Sequence, residues 1–175
     1  MDKIDTYDAV VIGGGPAGAT AAHEMARQGR SVLLLDRDGR IKPCGGAIPP
    51  RLIKDFAIPD HLLVARIRCA RMIAPSDAKV DIPIEGGFVG MVDRGPFDEW
   101  LRERAAQAGA VRTRGSFEAI ERDVDGSAIV RFSSRGRRGG EAVPVRVKAR
   151  VVVGADGARS EVARQEVPGS DRGKF

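Results

Sequence analysis

Three glycines near the start of the chain have a spacing that can bind phosphate. The stretch "VVIGGGPAGAT" places them at Gly13, Gly15 and Gly18, with Pro16 and Ala17 between the last two. In such a turn the first glycine allows a tight bend, the second lets a pyrophosphate approach, and the third lets a helix pack closely on a strand. The amides at the start of that helix then point at the phosphates. The spacing predicts a dinucleotide-binding loop formed by these five residues.

An acidic residue follows at the distance that this kind of loop requires. Asp36 lies 23 residues after Gly13, at the end of the apolar run "SVLLLD". A carboxylate there accepts hydrogen bonds from the ribose hydroxyls of an adenosine and repels a 2′-phosphate. We therefore expect Asp36, with its neighbour Arg37, to bind the ADP half of NAD or FAD, and not NADP. These residues leave the choice between NAD and FAD open.

The elements around these residues are those that the loop needs. Apolar runs at 7–12 and 31–35 predict two buried strands, and helix-forming residues from Pro16 to about Gln28 predict a helix that ends at Gly29. A glycine-rich turn with no ligand is the alternative. The strand-helix-strand order around the glycines favours the nucleotide.

The rest of the chain predicts further strands and one long helix. Residues 40–60 carry four prolines and two glycines, so we expect mostly irregular backbone there. The predicted class is α/β, with a Rossmann-type sheet, a crossover antiparallel β-meander made by the last three strands, and part of a second domain. The further predicted elements are strands at 66–73, 79–84, 88–94, 111–121, 127–133 and 142–153, and a helix at 96–108.

A second glycine-acid motif closes the pattern. In "VVVGADGARS" (151–160), a strand leads into an Asp-Gly pair and a new helix. Alone, this pair is a common turn, with the Asp capping the helix. The whole motif resembles the second nucleotide motif of flavoproteins with the aromatic-hydroxylase fold. That resemblance implies FAD as the cofactor, with Asp156 and Gly157 beside it.

Two more stretches extend the resemblance. "MVDRGPFDEWLRERA" (91–105) matches the flavoproteins at the helix whose preceding residue contacts FAD, which implies that Arg94 meets the pyrophosphate. A solvent-exposed arginine is the alternative. "KPCGGAIPPRLIKDF" (42–56) is similar to the geranylgeranyl reductases, above all those of chlorophyll and bacteriochlorophyll synthesis.

The reductase resemblance covers nearly the whole chain but only the first half of a full-length member. It implies an N-terminal fragment: an incomplete FAD-binding domain over residues 1–175, with the start of a substrate domain inserted at about 45–92. The implied reaction uses NADPH to reduce FAD, which then reduces C=C bonds of a geranylgeranyl group to phytyl. That group would be free as the diphosphate or attached to the pigment.

The same resemblance gives Cys44, Gly45 and Gly46 a catalytic role beside the flavin, where they position the prenyl chain or relay a proton. A buried, inert cysteine is the alternative for Cys44. Two other functions stay open for the chain: a flavin hydroxylase that uses O₂ on the same fold, and a nucleotide-binding fragment without catalysis.

Composition excludes several other classes. The net charge of +5 comes from arginines spread along the chain, and no nucleic-acid motif accompanies them, so we expect no nucleic-acid partner. Two cysteines and two histidines without ligand spacing predict no metal site. No apolar run is long enough to span a bilayer. We expect a cytoplasmic protein and leave peripheral contact with the photosynthetic membrane open.

Overall fold

The computed structural model describes four stretches of the chain: residues 4–37, residue 44, residues 46–135 and residues 141–170, with the backbone alone at residue 135. They form two compact units. The first unit comprises Met1–Arg40 and Asp98–Phe175, and the second unit is Ile41–Phe97. Within the described residues, no helix is both long and apolar enough to cross a membrane.

The helices and strands follow one another in this order: β1 (Thr6–Ile12), α1 (Pro16–Arg27), β2 (Val32–Asp36), β3 (Ala47–Ile48), α2 (Pro50–Asp55), a 3₁₀ turn (Asp60–Leu62), β4 (Leu63–Ile67), β5 (Cys69–Ile73), β6 (Lys79–Pro83), β7 (Val89–Val92), α3 (Arg94–Gln107), β8 (Val111–Arg122), β9 (Ala128–Arg135), β10 (Ala142–Gly154) and α4 (Glu161–Glu166).

The first unit is built on parallel strand pairs. β1 lies between β2 and β10 and pairs with both in parallel, and β8 pairs in parallel with the other edge of β2. Ile12 is opposite Leu35 on one side and Gly154 on the other. The carboxyl ends of these strands therefore meet at one edge of the sheet, where open α/β sheets bind their ligands.

Two long strands connect this sheet to an antiparallel meander. The later part of β8 and the earlier part of β10 both pair antiparallel with β9, so the pairing closes in the order β1-β10-β9-β8-β2. The buried core lies inside this ring and includes Val10, Leu33, Val130 and Phe132. The predicted α/β class, Rossmann-type sheet and meander are confirmed. Residues 136–140, between β9 and β10, lie outside the described residues.

Both helices at the ends of the parallel strands are fixed by specific local contacts. α1 turns its small residues Gly18, Ala19, Ala22 and Ala26 inward. α4 is held on β8 by Gln165, whose side chain accepts a hydrogen bond from the Ile120 amide and donates one to the Glu118 carbonyl. This amide bridges β8 beside the irregularity between Phe117 and Ala119, where the register with β9 shifts.

The second unit contains two small sheets and corrects two expectations. β3, β7 and β4 form one antiparallel sheet, and β5 and β6 form a two-stranded ribbon. The strand predicted at 66–73 is therefore two strands in different sheets. The expectation of irregular backbone at 40–60 is wrong at β3, α2 and the 3₁₀ turn. Pro50 does not prevent α2, because it occupies the start of the helix, where no amide hydrogen is needed.

Lys148 links β10 to the turn between β8 and β9. Lys148 Nζ on β10 donates hydrogen bonds to Asp123 Oδ2 at 2.6 Å and to Asp125 Oδ2 at 2.7 Å, in the turn between β8 and β9. These bonds hold the pKa of both carboxyls below the usual range and raise the pKa of the lysine. The turn is thereby fixed to the strand beside β1.

Lys148→Met should reduce stability at neutral pH and flatten its fall on acidification. The two carboxylates stabilise the fold above their unfolded pKa of about 4 and lose this contribution as the pH falls through their lower folded pKa. Without the ammonium the two carboxylates contribute less stability, so less of it is lost at low pH. Urea unfolding at about pH 7 and about pH 3 measures the difference, with Lys148→Arg as the charge-preserving control. An equally steep acid fall in Lys148→Met would contradict this account.

Candidate nucleotide-binding site

Three segments meet at the carboxyl edge of the parallel strands. They are the glycine-rich loop after β1, Asp36 at the end of β2, and the second motif after β10. Their meeting follows from the register, because Ile12 pairs with both Leu35 and Gly154. The first motif and the second motif thus form one site within the first unit.

Gly13 and Gly18 are required by close backbone approach. Gly13 has a φ of +107°, and a Cβ on it would lie 2.4 Å from the Ala155 carbonyl oxygen. A Cβ on Gly18 would lie 1.8 Å from the Gly13 carbonyl oxygen. The Ala155 amide also donates to the Ile12 carbonyl at 2.7 Å. No side chain fits between these segments, so the turn, the helix and the second motif are held in contact.

Gly15 differs from these two glycines. A Cβ built on it would meet no atom within 4 Å, so the loop is open on this side. It is the N-cap of α1, whose first turn contains no acidic residue. The amides of Ala17 and Gly18 lie in that first turn, where helix geometry provides no intrahelical partner. An uncovered loop at the positive end of a helix fits a pyrophosphate.

Asp36 is held directly behind the loop. Its Oδ1 accepts a hydrogen bond from the Gly14 amide at 3.0 Å. A Cβ on Gly14 would lie 2.7 Å from the Asp36 Cβ, which explains the middle glycine of the three. The Asp36 side chain is 29% exposed, so its carboxylate remains accessible to a ligand. The arrangement fits the ribose of an ADP group bound on the loop.

Arg102 is a member of the site that the sequence did not predict. From α3, its Nη1 atom donates to the Gly14 carbonyl at 3.1 Å and to Asp36 Oδ2 at 3.3 Å. Its Nε donates to Glu99 Oε2 at 3.0 Å. The i,i+3 spacing of Glu99 and Arg102 was the one local signal, and it is common on exposed helices. The contacts to the loop join residues far apart in sequence.

Asp156 has a structural task in the second motif. Its carboxylate accepts hydrogen bonds from Ser160 Oγ at 2.5 Å and from the backbone amides of Glu161 at 2.7 Å and Val162 at 3.3 Å. It therefore caps α4, the alternative that the turn pair left open. Gly157 follows with a φ of +94°. The cofactor contacts of Asp156 and Gly157 stay predictions.

The other predicted residues lie elsewhere. Arg37 is exposed after β2. Arg94 is the first residue of α3 and belongs to the second unit, as do Cys44 and Gly46. The thiol of Cys44 is exposed, so a buried cysteine is the wrong alternative for it. Gly45 lies outside the described residues.

Gly46 has a local reason to be glycine. Its φ is +68°, and a Cβ would lie 2.0 Å from the Val92 carbonyl oxygen. The Val92 amide donates to the Gly46 carbonyl at 2.9 Å. The close approach to β7 therefore accounts for this glycine without a ligand. Its predicted role beside a flavin stays a prediction.

In the part of the chain that the structure describes, no group of three or more His, Cys, Asp or Glu side chains could hold an ion.

Known families contain this arrangement. Residues 7–174 match the family model of the pyridine nucleotide-disulphide oxidoreductases. The chain belongs to this family. The match is to a Rossmann-type FAD-binding domain, whose glycine loop and acid are those described above.

Individual relatives confirm the resemblance to geranylgeranyl reductases. The chain is 64% identical to the geranylgeranyl diphosphate reductase of Rhodobacter capsulatus, over 93% of its own length and 40% of that protein. It is 41% identical to the chloroplastic enzyme of Oryza sativa subsp. japonica, over 88% of this chain and 35% of that one. The chain thus spans about two fifths of the length of the reductases it matches.

A solved structure shows the same fold. A geranylgeranyl bacteriochlorophyll reductase-like protein from Thermoplasma acidophilum superposes with a TM-score of 0.76 at 25% identity. The match covers 89% of this chain and 40% of that protein.

The contrast between Gly15 and Gly18 gives a paired test of the site. Gly15→Ala should change the free energy of unfolding by less than about 1 kcal/mol, because its Cβ meets open space. It should weaken the binding of ADP by about tenfold, because the methyl group occupies the pyrophosphate approach. Gly18→Ala should destabilise the fold by about 1 to 3 kcal/mol. Urea unfolding measures the stability of each variant, and ADP titration measures its affinity. Unchanged ADP affinity in Gly15→Ala would show that the pyrophosphate does not bind at Gly15.

Proposed function

We propose that the chain is the FAD-binding part of a geranylgeranyl reductase, an FAD-dependent oxidoreductase that reduces C=C bonds of a geranylgeranyl group to phytyl. The observation that carries this proposal is the 64% identity to such a reductase over 93% of the chain. The glycine-rich loop (residues 13–18) and Asp36, together the nucleotide cradle, lie in the same segment. They support the proposal, because each glycine and the acid has a physical reason to be present.

The residues of the first unit would hold the ADP half of FAD. The open side of Gly15 and the start of α1 receive the pyrophosphate, and Asp36 accepts the ribose hydroxyls. Bound FAD supplies the two-electron transfer between a nicotinamide and an alkene. In this proposal NADPH is the reductant and binds outside the cradle, because Asp36 repels a 2′-phosphate.

The second unit would begin the substrate domain, at about residues 45–92. Its independence as the compact unit Ile41–Phe97 supports that assignment. The β5–β6 ribbon also exposes the apolar side chains of Met72, Val80 and Ile82, which suit a prenyl-binding domain. The prenyl group is free as the diphosphate or pigment-bound, and a substrate this apolar brings the protein into peripheral contact with a membrane.

Cys44 would act on the reacting alkene. Reduction adds a proton as well as a hydride to the two carbons, and an exposed thiol can relay that proton or position the prenyl chain. Arg94, at the start of α3, would meet the pyrophosphate with its fork of donors.

Asp36→Asn should weaken FAD binding while leaving the fold intact. Hydrogen bonds to a charged group contribute about 1.5 to 3 kcal/mol, so the Kd should rise about tenfold or more. Flavin fluorescence quenching on titration of the chain measures the Kd, and visible absorption shows bound flavin. Asp55→Asn, on exposed α2, is the matched control. A wild-type chain that retains no flavin bands once unbound FAD has been removed would contradict the proposed cofactor.

Cys44→Ala, made in a full-length reductase that carries these residues, should separate the two half-reactions. Reduction of FAD by NADPH should stay within about twofold, while alkene reduction should slow about a hundredfold, the lower end for loss of general acid catalysis. Stopped-flow absorbance under anaerobic conditions follows both. Cys69→Ala, at the other exposed cysteine, is the control. If Cys44→Ala has the wild-type rate in both half-reactions, Cys44 has a structural role only.

A further inference from the structure

Arg102 is a charged side chain from outside the two nucleotide motifs, and the structure places it on both the glycine-rich loop and its acid. Its Nη1 atom bridges the Gly14 carbonyl and Asp36 Oδ2, at 3.1 and 3.3 Å. The Arg102 side chain is only 20% exposed. The planar guanidinium fixes the two hydrogens of Nη1, so this one nitrogen constrains both acceptors at once.

Together with Asp36, Arg102 fixes both polar groups of Gly14. The Gly14 amide donates to Asp36 Oδ1, and the Gly14 carbonyl accepts from Arg102. The peptide groups on either side of this residue are therefore both held. The next residue is Gly15, the open position where a pyrophosphate would approach.

The same contacts select one conformation of Asp36. One carboxylate oxygen is oriented by the loop amide and the other by Arg102. A carboxylate oxygen has a second lone pair, so each can still accept a hydroxyl hydrogen. The carboxylate is thus held ready to accept the ribose hydroxyls with no further change of rotamer.

Glu99 also holds Arg102, and Arg112 in turn holds Glu99. Glu99 accepts from Arg102 Nε and also from Arg112 on β8, at 3.0 Å each. The hydrogen bond from Arg112, and then that from Arg102, lower the pKa of Glu99, so it is ionised at neutral pH. The guanidinium is therefore aimed at the loop by an anion that is itself fixed to the sheet.

We propose that Arg102 is the positioning residue of the nucleotide cradle. It acts through Asp36 and Gly14, and holds the acid and the loop in the form that receives the ribose and the pyrophosphate of an ADP group. This inference rests on the proposed binding of FAD, and it assigns the order of the cradle to a residue outside both nucleotide motifs.

Binding of FAD and of ADP to the 175-residue chain tests the proposal through a double-mutant cycle. Arg102→Met should raise both dissociation constants about tenfold, and Arg102→Lys should restore little, because one ammonium cannot replace the fork. In the Asp36→Asn background, Arg102→Met should raise the dissociation constants threefold or less, because the effects of coupled residues are not additive. An equal loss in both backgrounds would overturn action through Asp36. Arg104→Met, on the same helix, is the matched control.

Amide exchange of Gly14 in the ligand-free chain gives a second readout. Arg102→Met and Asp36→Asn should each speed this exchange about tenfold, and Arg104→Met should leave it unchanged. Glu99→Gln, a milder change, should speed it less and serves if Arg102→Met does not fold. Unchanged Gly14 exchange in the folded variants would overturn the proposal.

The two readouts separate this inference from the proposed function. A wild-type chain that binds neither FAD nor ADP would defeat the proposed cofactor, while the Gly14 exchange would still decide whether Arg102 orders the loop. A chain that binds FAD equally well with and without Arg102 would leave the reductase proposal standing and defeat the positioning role.

Discussion

The first unit depends on the contact of backbone with backbone where β1 turns into α1. A side-chain carbon on Gly18 would lie 1.8 Å from the Gly13 carbonyl, and one on Gly13 would lie 2.4 Å from that of Ala155. Three segments therefore meet with no room for side chains. Because the parallel register brings their strand ends to one edge, this close contact determines where α1 begins and where its positive end points.

The elements that the sequence predicted well are those whose signals are local. β1, α1 and β2 are marked by short apolar runs and glycines, and the meander by apolar runs separated by turns. The predictions failed where the physics was less local. The prolines and glycines of residues 40–60 predict mostly irregular backbone, but Pro50 starts α2, and the run at 66–73 contains a change of sheet at Arg68. Composition does not reveal which sheet a strand joins.

The site divides in the same way. Its glycines and Asp36 were predictable, because the spacing of a phosphate loop is set by one turn of chain and one strand. Arg102 was not, because its contacts with Asp36 and Gly14 span 66 and 88 residues. In a chain with 29 lysines and arginines, no composition argument selects it. What selects it is the placement of α3, which depends on packing that a single sequence does not show.

The second motif supports the first through Asp156, which caps α4. The Asp156 carboxylate accepts hydrogen bonds from two amides in the first turn of α4, so it fixes the loop. The neighbouring residue in that loop, Ala155, bonds to Ile12 and leaves no space beside Gly13. The cap on α4 thereby supports the phosphate loop through the backbone. The glycine-acid pair of the second motif is needed for the first motif even where its carboxylate touches no cofactor, since a displaced Ala155 would free the turn on which the cradle is built.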